Sequence, residues 1–181
     1  MQPRFITKHL QGLSKYRIIT NGDYMATKTN AVRIVQQSRI PLREAFYEYD
    51  EQDLSGTHAA DAIGMPQEQV FKTLVTRGER NGIHVFCIPV CCELDLKKAA
   101  AAAGDKNIAM VQVKELLPLT GYIRGGCSPV GMKKKYPTHF DETAILYDEI
   151  AVSAGARGHQ MLLNPEDLAN LIGAEFADIT K

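Results

Sequence analysis

No tryptophan occurs in this chain, and no apolar run is long enough to cross a bilayer, so a membrane-spanning helix is excluded. The four cysteines, Cys87, Cys91, Cys92 and Cys127, form no C-x-x-C pair and no regular disulfide framework. Reduced thiols in a cytoplasmic protein are therefore the expectation. The five histidines are scattered, without the partner spacing of a zinc site, so no metal is expected. A phosphate loop of the G-x-x-x-x-G-K-[ST] kind is missing, as is a dinucleotide fingerprint, which leaves ATP- or NAD-dependent chemistry without support and predicts no cofactor. An excess of positive charge is missing too: 21 Lys and Arg stand against 21 Asp and Glu. A protein that grips nucleic acid by its backbone alone is usually strongly basic, so DNA binding is not expected, and any RNA contact should be small or shared with a partner.

Length and 45% hydrophobic content fit one globular domain with a sizeable core. Residues 1–24 differ in character from the rest. They end in Asn21-Gly22-Asp23 ahead of Met25, a plausible start, and lack the apolar stretch of a signal peptide. They read as a non-native or mis-called N-terminal extension, with the functional domain at 25–181. Without them the balance becomes 17 basic against 20 acidic residues.

The stretch Gly121–Lys135 (GYIRGGCSPVGMKKK) carries four glycines and a proline between positions 121 and 131. That is too much backbone freedom for a helix or a plain strand, yet Tyr122, Ile123, Val130 and Met132 are large enough to anchor it. An anchored glycine loop brings bare N–H and C=O groups close to a ligand, and the lysines at 133–135 suit an anionic one. A surface turn with a solvated charge run is the plainer reading. Ser128 invites a nucleophile role, but the run Gly126-Cys127-Ser128-Pro129-Val130-Gly131 is not a G-x-S-x-G elbow. Cys127 is a candidate thiol nucleophile, with His139 and His159 as candidate bases.

Val70–Arg77 (VFKTLVTR) and Ile83–Pro89 (IHVFCIP) read as strands joined by a polar turn, an antiparallel hairpin. Both faces of the first are apolar, so it should be interior, and Lys72 in its middle must reach a cleft, a carboxylate or a ligand. Snorkelling to a rim is the alternative. Tyr49, late in a predicted strand at Ala45–Asp50, could donate to a substrate oxygen or simply edge the core. Asp167 could bind an amine, although helix capping explains it equally. Further strands are expected at 109–112, 138–140, 149–154, 159–164 and 176–180. Helices are expected from about Thr27 or Thr29, over Thr57–Ile63 ending at Gly64, over Leu96–Ala103 capped by Asp95, and after Asn164-Pro165 up to Gly173. Lys114–Leu117 reads as a helical turn closed by Pro118. The interleaved hairpins favour one compact α+β domain with a mixed, mostly antiparallel sheet or barrel flanked by helices.

Three segments, VFKTL at 70–74, GGCSPVG at 125–131 and VSAGARG at 152–158 leading to NPEDL at 164–168, together resemble the YbaK-type Cys-tRNA(Pro) deacylases. These are free-standing relatives of the editing domain inserted in bacterial prolyl-tRNA synthetase. The likeness runs in matching order from about Ala31 to the C-terminus. It implies a metal-free enzyme that clears cysteine mischarged on proline tRNA, with the aminoacyl-tRNA acceptor end as ligand and prolyl-tRNA synthetase as a candidate partner. It implies that Lys72 is the functional lysine and Tyr49 the active-site tyrosine. Gly125, Gly126, Cys127, Ser128 and Pro129 match the loop that cradles the aminoacyl group, and Asp167 matches a pocket aspartate. Cys127 stands where an apolar residue is common, and Ala156 replaces a frequent lysine. Two rival functions stand beside this one: a hydrolase using Cys127 as nucleophile, and a non-catalytic module that binds aminoacyl-tRNA or a synthetase.

Overall fold

The computed structural model describes residues 28–181; the expected extension at 1–24 lies outside the described residues. Eight strands form one sheet: β1 (Arg43–Phe46), β2 (Val70–Gly78), β3 (Ile83–Pro89), β4 (Ile108–Met110), β5 (Thr138–Asp141), β6 (Ile150–Ala156), β7 (His159–Leu163) and β8 (Glu175–Ala177). Their order is β1-β7-β6-β2-β3-β5-β8, with β4 paired to β2 off this path. Four pairings are antiparallel (β1 with β7, β2 with β3, β2 with β4, β6 with β7) and three parallel (β2 with β6, β3 with β5, β5 with β8). The helices are α1 (Asn30–Gln37), α2 (Gly56–Ile63), α3 (Leu96–Ala102), α4 (Val113–Thr120) and α5 (Pro165–Ile172). The sheet is mixed and flanked by helices, the α+β class expected.

Side-chain alternation along β2 and β3 builds two apolar layers. Phe71, Val75, Val85 and Cys87 pack on one face with Ala31, Val32 and Val35 of α1 and with Leu168 of α5. On the other face two separate clusters form, one with α2 and one with α3. Val70 packs with Ala60 and Ile63 of α2, and Phe86 and Ile88 pack with Ala99 and Ala100 of α3. Lys72 stands on this second face, between Val70 in the α2 cluster and Leu74 beside the α3 cluster. A cation at that position therefore stands between two apolar clusters, not inside one.

Helix boundaries follow the capping rules. Thr29, Ser55, Asp95 and Asn164 cap α1, α2, α3 and α5 through side-chain oxygens, each such cap stabilising by about 1 kcal/mol. Gly64 and Gly173 end α2 and α5 in the left-handed conformation, with φ of 69° at both.

Two expectations need correction. Pro118 does not close its helical turn: α4 runs through it to Thr120, and Gly121, at φ 84°, ends it. Proline lacks the amide that would bond the Lys114 carbonyl, and the end of the helix is tied down by other groups: Leu117 O accepts from Gly121 N–H at 2.9 Å and Lys133 Nζ at 3.2 Å, and Leu119 O from the Tyr136 hydroxyl at 3.0 Å. The strand expected at 45–50 is β1, two residues earlier, because it pairs with β7 only from Arg43 to Phe46. Strands β5 and β6 are joined by a 3-10 turn over Glu142–Leu146 and lie apart in the sheet. Among the described residues, no helix is long and apolar enough to cross a membrane.

Candidate active site

Strand β2 is paired along one edge by β3 but only at the two ends of the other. Strand β6 takes Val70 and Phe71, and β4 takes Thr76, Arg77 and Gly78. Beyond Val152, β6 turns away through a bulge between Ser153 and Ala156. Bulges re-aim strands in this way and are common beside functional sites. The window opposite Lys72–Leu74 becomes a cleft of about 370 Å³. Its walls are the start of α2 at Ser55–Thr57, the loop residues Gly125 and Cys127, and Ser153 and Gln160 from the β6–β7 hairpin.

Lys72 reaches this cleft half-buried. Its Nζ donates to the carbonyl of Cys92 at 2.7 Å and to that of Val90 at 3.2 Å. An ammonium has three donors, so two are spent on holding the side chain and one remains for a ligand. Among the described residues no carboxylate forms a salt bridge with it; its charge meets two carbonyl dipoles and acts at longer range on Glu93.

The glycine loop is held rigidly. The Tyr122 hydroxyl donates to Val130 O at 2.6 Å, which closes the loop on itself, and the ring lies against Gly155 in the β6 bulge. A Cβ at Gly155 would fall 2.7 Å from Tyr122 Cε1, at a φ of 94°, so glycine is required twice over. At Gly126 an added Cβ would lie 3.1 Å from the backbone of Ala156 and Arg157, so the loop and the hairpin touch main chain to main chain. Asn30 Nδ2 donates to Gly131 O at 3.2 Å and ties the loop to α1.

Of the expected site residues, Lys72, Gly125 and Cys127 come together in the cleft. Gly126, Ser128 and Pro129 are buried behind them. Ser128 Oγ accepts the Val130 N–H at 3.2 Å, so this hydroxyl shapes the loop. Cys127 is 8% exposed, and burial pushes its thiol up to about 12, with a bond to Thr120 working the other way. At neutral pH such a thiol is ionised only about once in 10⁵.

Two expected residues stand elsewhere. Tyr49, 44% exposed, borders a small side pocket with Gly125 and Arg157, whose guanidinium lies 5.9 Å from the ring centre. Asp167 is exposed in the first turn of α5 and is not among the residues lining the cleft; Asn164 Oδ1 takes its amide at 3.0 Å. Sequence reasoning missed the residues that do line the cleft there. Tyr47 faces it, with its amide on Gly158 O at 2.9 Å and its hydroxyl 3.5 Å from Gln160 Nε2. Burial raises the Tyr47 phenol, and the Gln160 bond opposes that rise. Gln160 is 5% exposed, and its Oε1 has no partner among the described residues. A buried acceptor left without a partner is costly, and Gln160 is one of the residues that line the cleft. The sequence signal was a glutamine within the apolar strand HQMLL.

Among the described residues, no group of three His, Cys, Asp or Glu is placed to hold a metal.

Comparison with known proteins shows what this chain is similar to. Residues 55–171 match the model of the aminoacyl-tRNA editing domain. A protein of Enterococcus faecalis with the provisional name Cys-tRNA(Pro)/Cys-tRNA(Cys) deacylase EbsC is 48% identical over 153 residues, 84% of this chain and 93% of the relative. A proline–tRNA ligase of Thermosipho africanus is 32% identical over 75 residues, 41% of this chain and 13% of the ligase. A crystal structure described provisionally as a trans-editing enzyme for prolyl tRNA synthetase superimposes with a TM-score of 0.71 at 27% identity, covering 86% of this chain and 99% of that one.

Proposed function

The chain belongs to the aminoacyl-tRNA editing domain family, and from that premise we propose that it is a free-standing deacylase clearing cysteine mischarged on proline tRNA. The observation that carries this reading is the shared cleft: the Lys72 ammonium and the bolted glycine loop face one space from opposite elements. At about 370 Å³ that space suits an aminoacyl ester and its ribose, not a folded polynucleotide. The rest of the tRNA is held by a partner, for which prolyl-tRNA synthetase is the candidate, consistent with equal numbers of basic and acidic residues.

The substrate supplies the nucleophile. The cysteinyl thiol loses its proton and its sulfur attacks the ester carbonyl carbon. The carbon–oxygen bond to the tRNA 3′ end breaks, and that oxygen takes up a proton. A small thiolactone leaves and is opened by water to cysteine. The protein contributes position and charge, effects that together account for large rate gains. The third donor of Lys72 faces the oxygen on which charge develops or the terminal phosphate. Free N–H groups at the start of α2 add positive potential. Gln160 Oε1 accepts from the substrate's amino group, and Tyr47 orients Gln160. Tyr49 and Arg157 flank the side pocket where the acceptor end enters.

The Cys127 hydrolase is disfavoured by that thiol's burial and by the absence of any histidine hydrogen-bonded to it among the described residues. The test follows the ester bond in Cys-tRNA(Pro), Ala-tRNA(Pro) and Pro-tRNA(Pro) incubated with the purified protein. Rapid loss of the cysteinyl ester alone is expected. Equal rates for the alanyl ester would remove the thiol-assisted step, and no cleavage at all would leave a binding module.

A further inference from the structure

The turn that holds Lys72 carries two adjacent thiols. Cys91 is exposed, Cys92 is half-buried, and their sulfurs lie 3.8 Å apart. The turn is fixed at both ends. Val90 N–H donates to Val70 O at 2.8 Å and Cys92 N–H to Pro89 O at 3.0 Å. Beyond it, Lys181 N–H donates to Glu93 O at 3.1 Å, and Asp95 N–H to Ile179 O at 2.9 Å. The Cys92 carbonyl, the nearer anchor of Lys72 at 2.7 Å, hangs from the same Cα as the Cys92 sulfur.

We propose that Cys91 and Cys92 form a vicinal dithiol, oxidised reversibly by small disulfides, whose closure unseats Lys72 and so switches off the deacylase activity proposed above. The coupling to activity rests on that reading; the dithiol chemistry does not.

The exchange balances. The exposed Cys91 thiolate attacks one sulfur of a low-molecular-weight disulfide and releases the first small thiolate. Cys92, having given its proton to solvent, attacks the Cys91 sulfur of the mixed disulfide and expels the second. Two protein S–H bonds become one S–S bond, and the small disulfide becomes two thiols, taking up two electrons and two protons. Small thiols run the sequence backward. A disulfide bond is about 2.05 Å long, so the sulfurs must approach from 3.8 Å within an eight-membered ring that contains the 91–92 peptide. With both flanks of the turn clamped, the Cα of Cys92 swings and its carbonyl leaves the lysine. Adjacent cysteines sit closer than the usual Cα separation of disulfides, and such strained bonds are the readily reduced, regulatory kind. Cys87 and Cys127 are buried and out of reach of the oxidant.

The full chain is equilibrated with glutathione disulfide, quenched in acid, alkylated and mapped by peptide mass, alongside Cys91→Ser. In the wild type, the peptide containing residues 91 and 92 is expected to lose two hydrogens and take no alkyl group at either. Acetylation of Lys72 by acetic anhydride should rise several-fold. Cys-tRNA(Pro) cleavage should fall about tenfold, the order expected when one hydrogen bond to a charged group is lost, and return with dithiothreitol. Cys91→Ser should form no ring, keep its Lys72 reactivity and keep its activity. A stable glutathione adduct at Cys91, or ring closure with Lys72 acetylation unchanged, would overturn the proposal. If the reduced wild type cleaves no ester, the deacylase reading alone fails, because peptide masses and Lys72 acetylation still decide the switch.

Discussion

Replacing Lys72 by methionine separates a lysine that acts on substrate from one that merely braces a turn. Methionine keeps the apolar stem between the α2 and α3 clusters, so the packing loss is small. What disappears is the ammonium and its bonds to Cys92 O and Val90 O. Hydrogen bonds to charged groups contribute about 1.5–3 kcal/mol each, and water reaches this half-buried site to replace part of that, so a stability loss of about 1–3 kcal/mol follows. Domains of this kind begin with about 5–15 kcal/mol. Even with about 2 kcal/mol remaining, about 97% of the molecules stay folded at 25 °C. A bracing role therefore predicts nearly full turnover. Direct stabilisation of developing charge predicts a fall of about 10²–10³ in kcat, the usual size for removing one such donor. Single-turnover cleavage of Cys-tRNA(Pro), with circular dichroism to confirm folding, distinguishes the two. A folded variant within about threefold of wild type would refute the assignment of Lys72.

Cys127→Ser should keep activity within about threefold, since a buried thiol with no base beside it is not the nucleophile; a loss of several hundredfold would restore the cysteine hydrolase. Gln160→Met removes the open Oε1 acceptor at nearly constant volume, so the KM for the minimal substrate cysteinyl-adenosine should rise about tenfold with the melting temperature unchanged or higher; an unchanged KM sinks the amine contact. Stability should fall on acidification. Burial lowers the pKa of His84 and of His139 below the ordinary 6.5, so the unfolded chain binds more protons just under that value and the folded state loses ground as pH drops. Urea midpoints should be flat above pH 7 and decline below about 6.5, by up to about 1.4 kcal/mol per histidine per pH unit; a midpoint constant down to pH 5 would contradict the buried neutral imidazoles.

The fold was legible where one local rule was sufficient. The β2–β3 hairpin, α2 with its Gly64 stop, and α5 with its Asn-Pro start stand where capping and alternation place them. Elements decided by distant partners were not. The end of α4 beyond Pro118 is tied by Lys133 and Tyr136 at the Leu117 and Leu119 carbonyls, and the end of β1 depends on where β7 stops pairing. The site divides in the same way. Lys72 was visible as a charge in an apolar strand and the loop as a cluster of glycines. Tyr47 and Gln160 line the cleft beside the bulge at Ser153–Ala156, and alternation along a single strand carries no trace of that opening. Asp167 matched a motif position, but the turn of α5 directs it to solvent.

Strand β2 touches three other strands and carries Lys72 near its middle. Amides of such a central strand exchange with solvent only when the whole molecule opens, whereas sites on peripheral loops melt first. Lys72 thus rides on the last part of the protein to come apart. Along a denaturant titration, ester cleavage and secondary structure should vanish at one concentration, with no folded but inactive species in between.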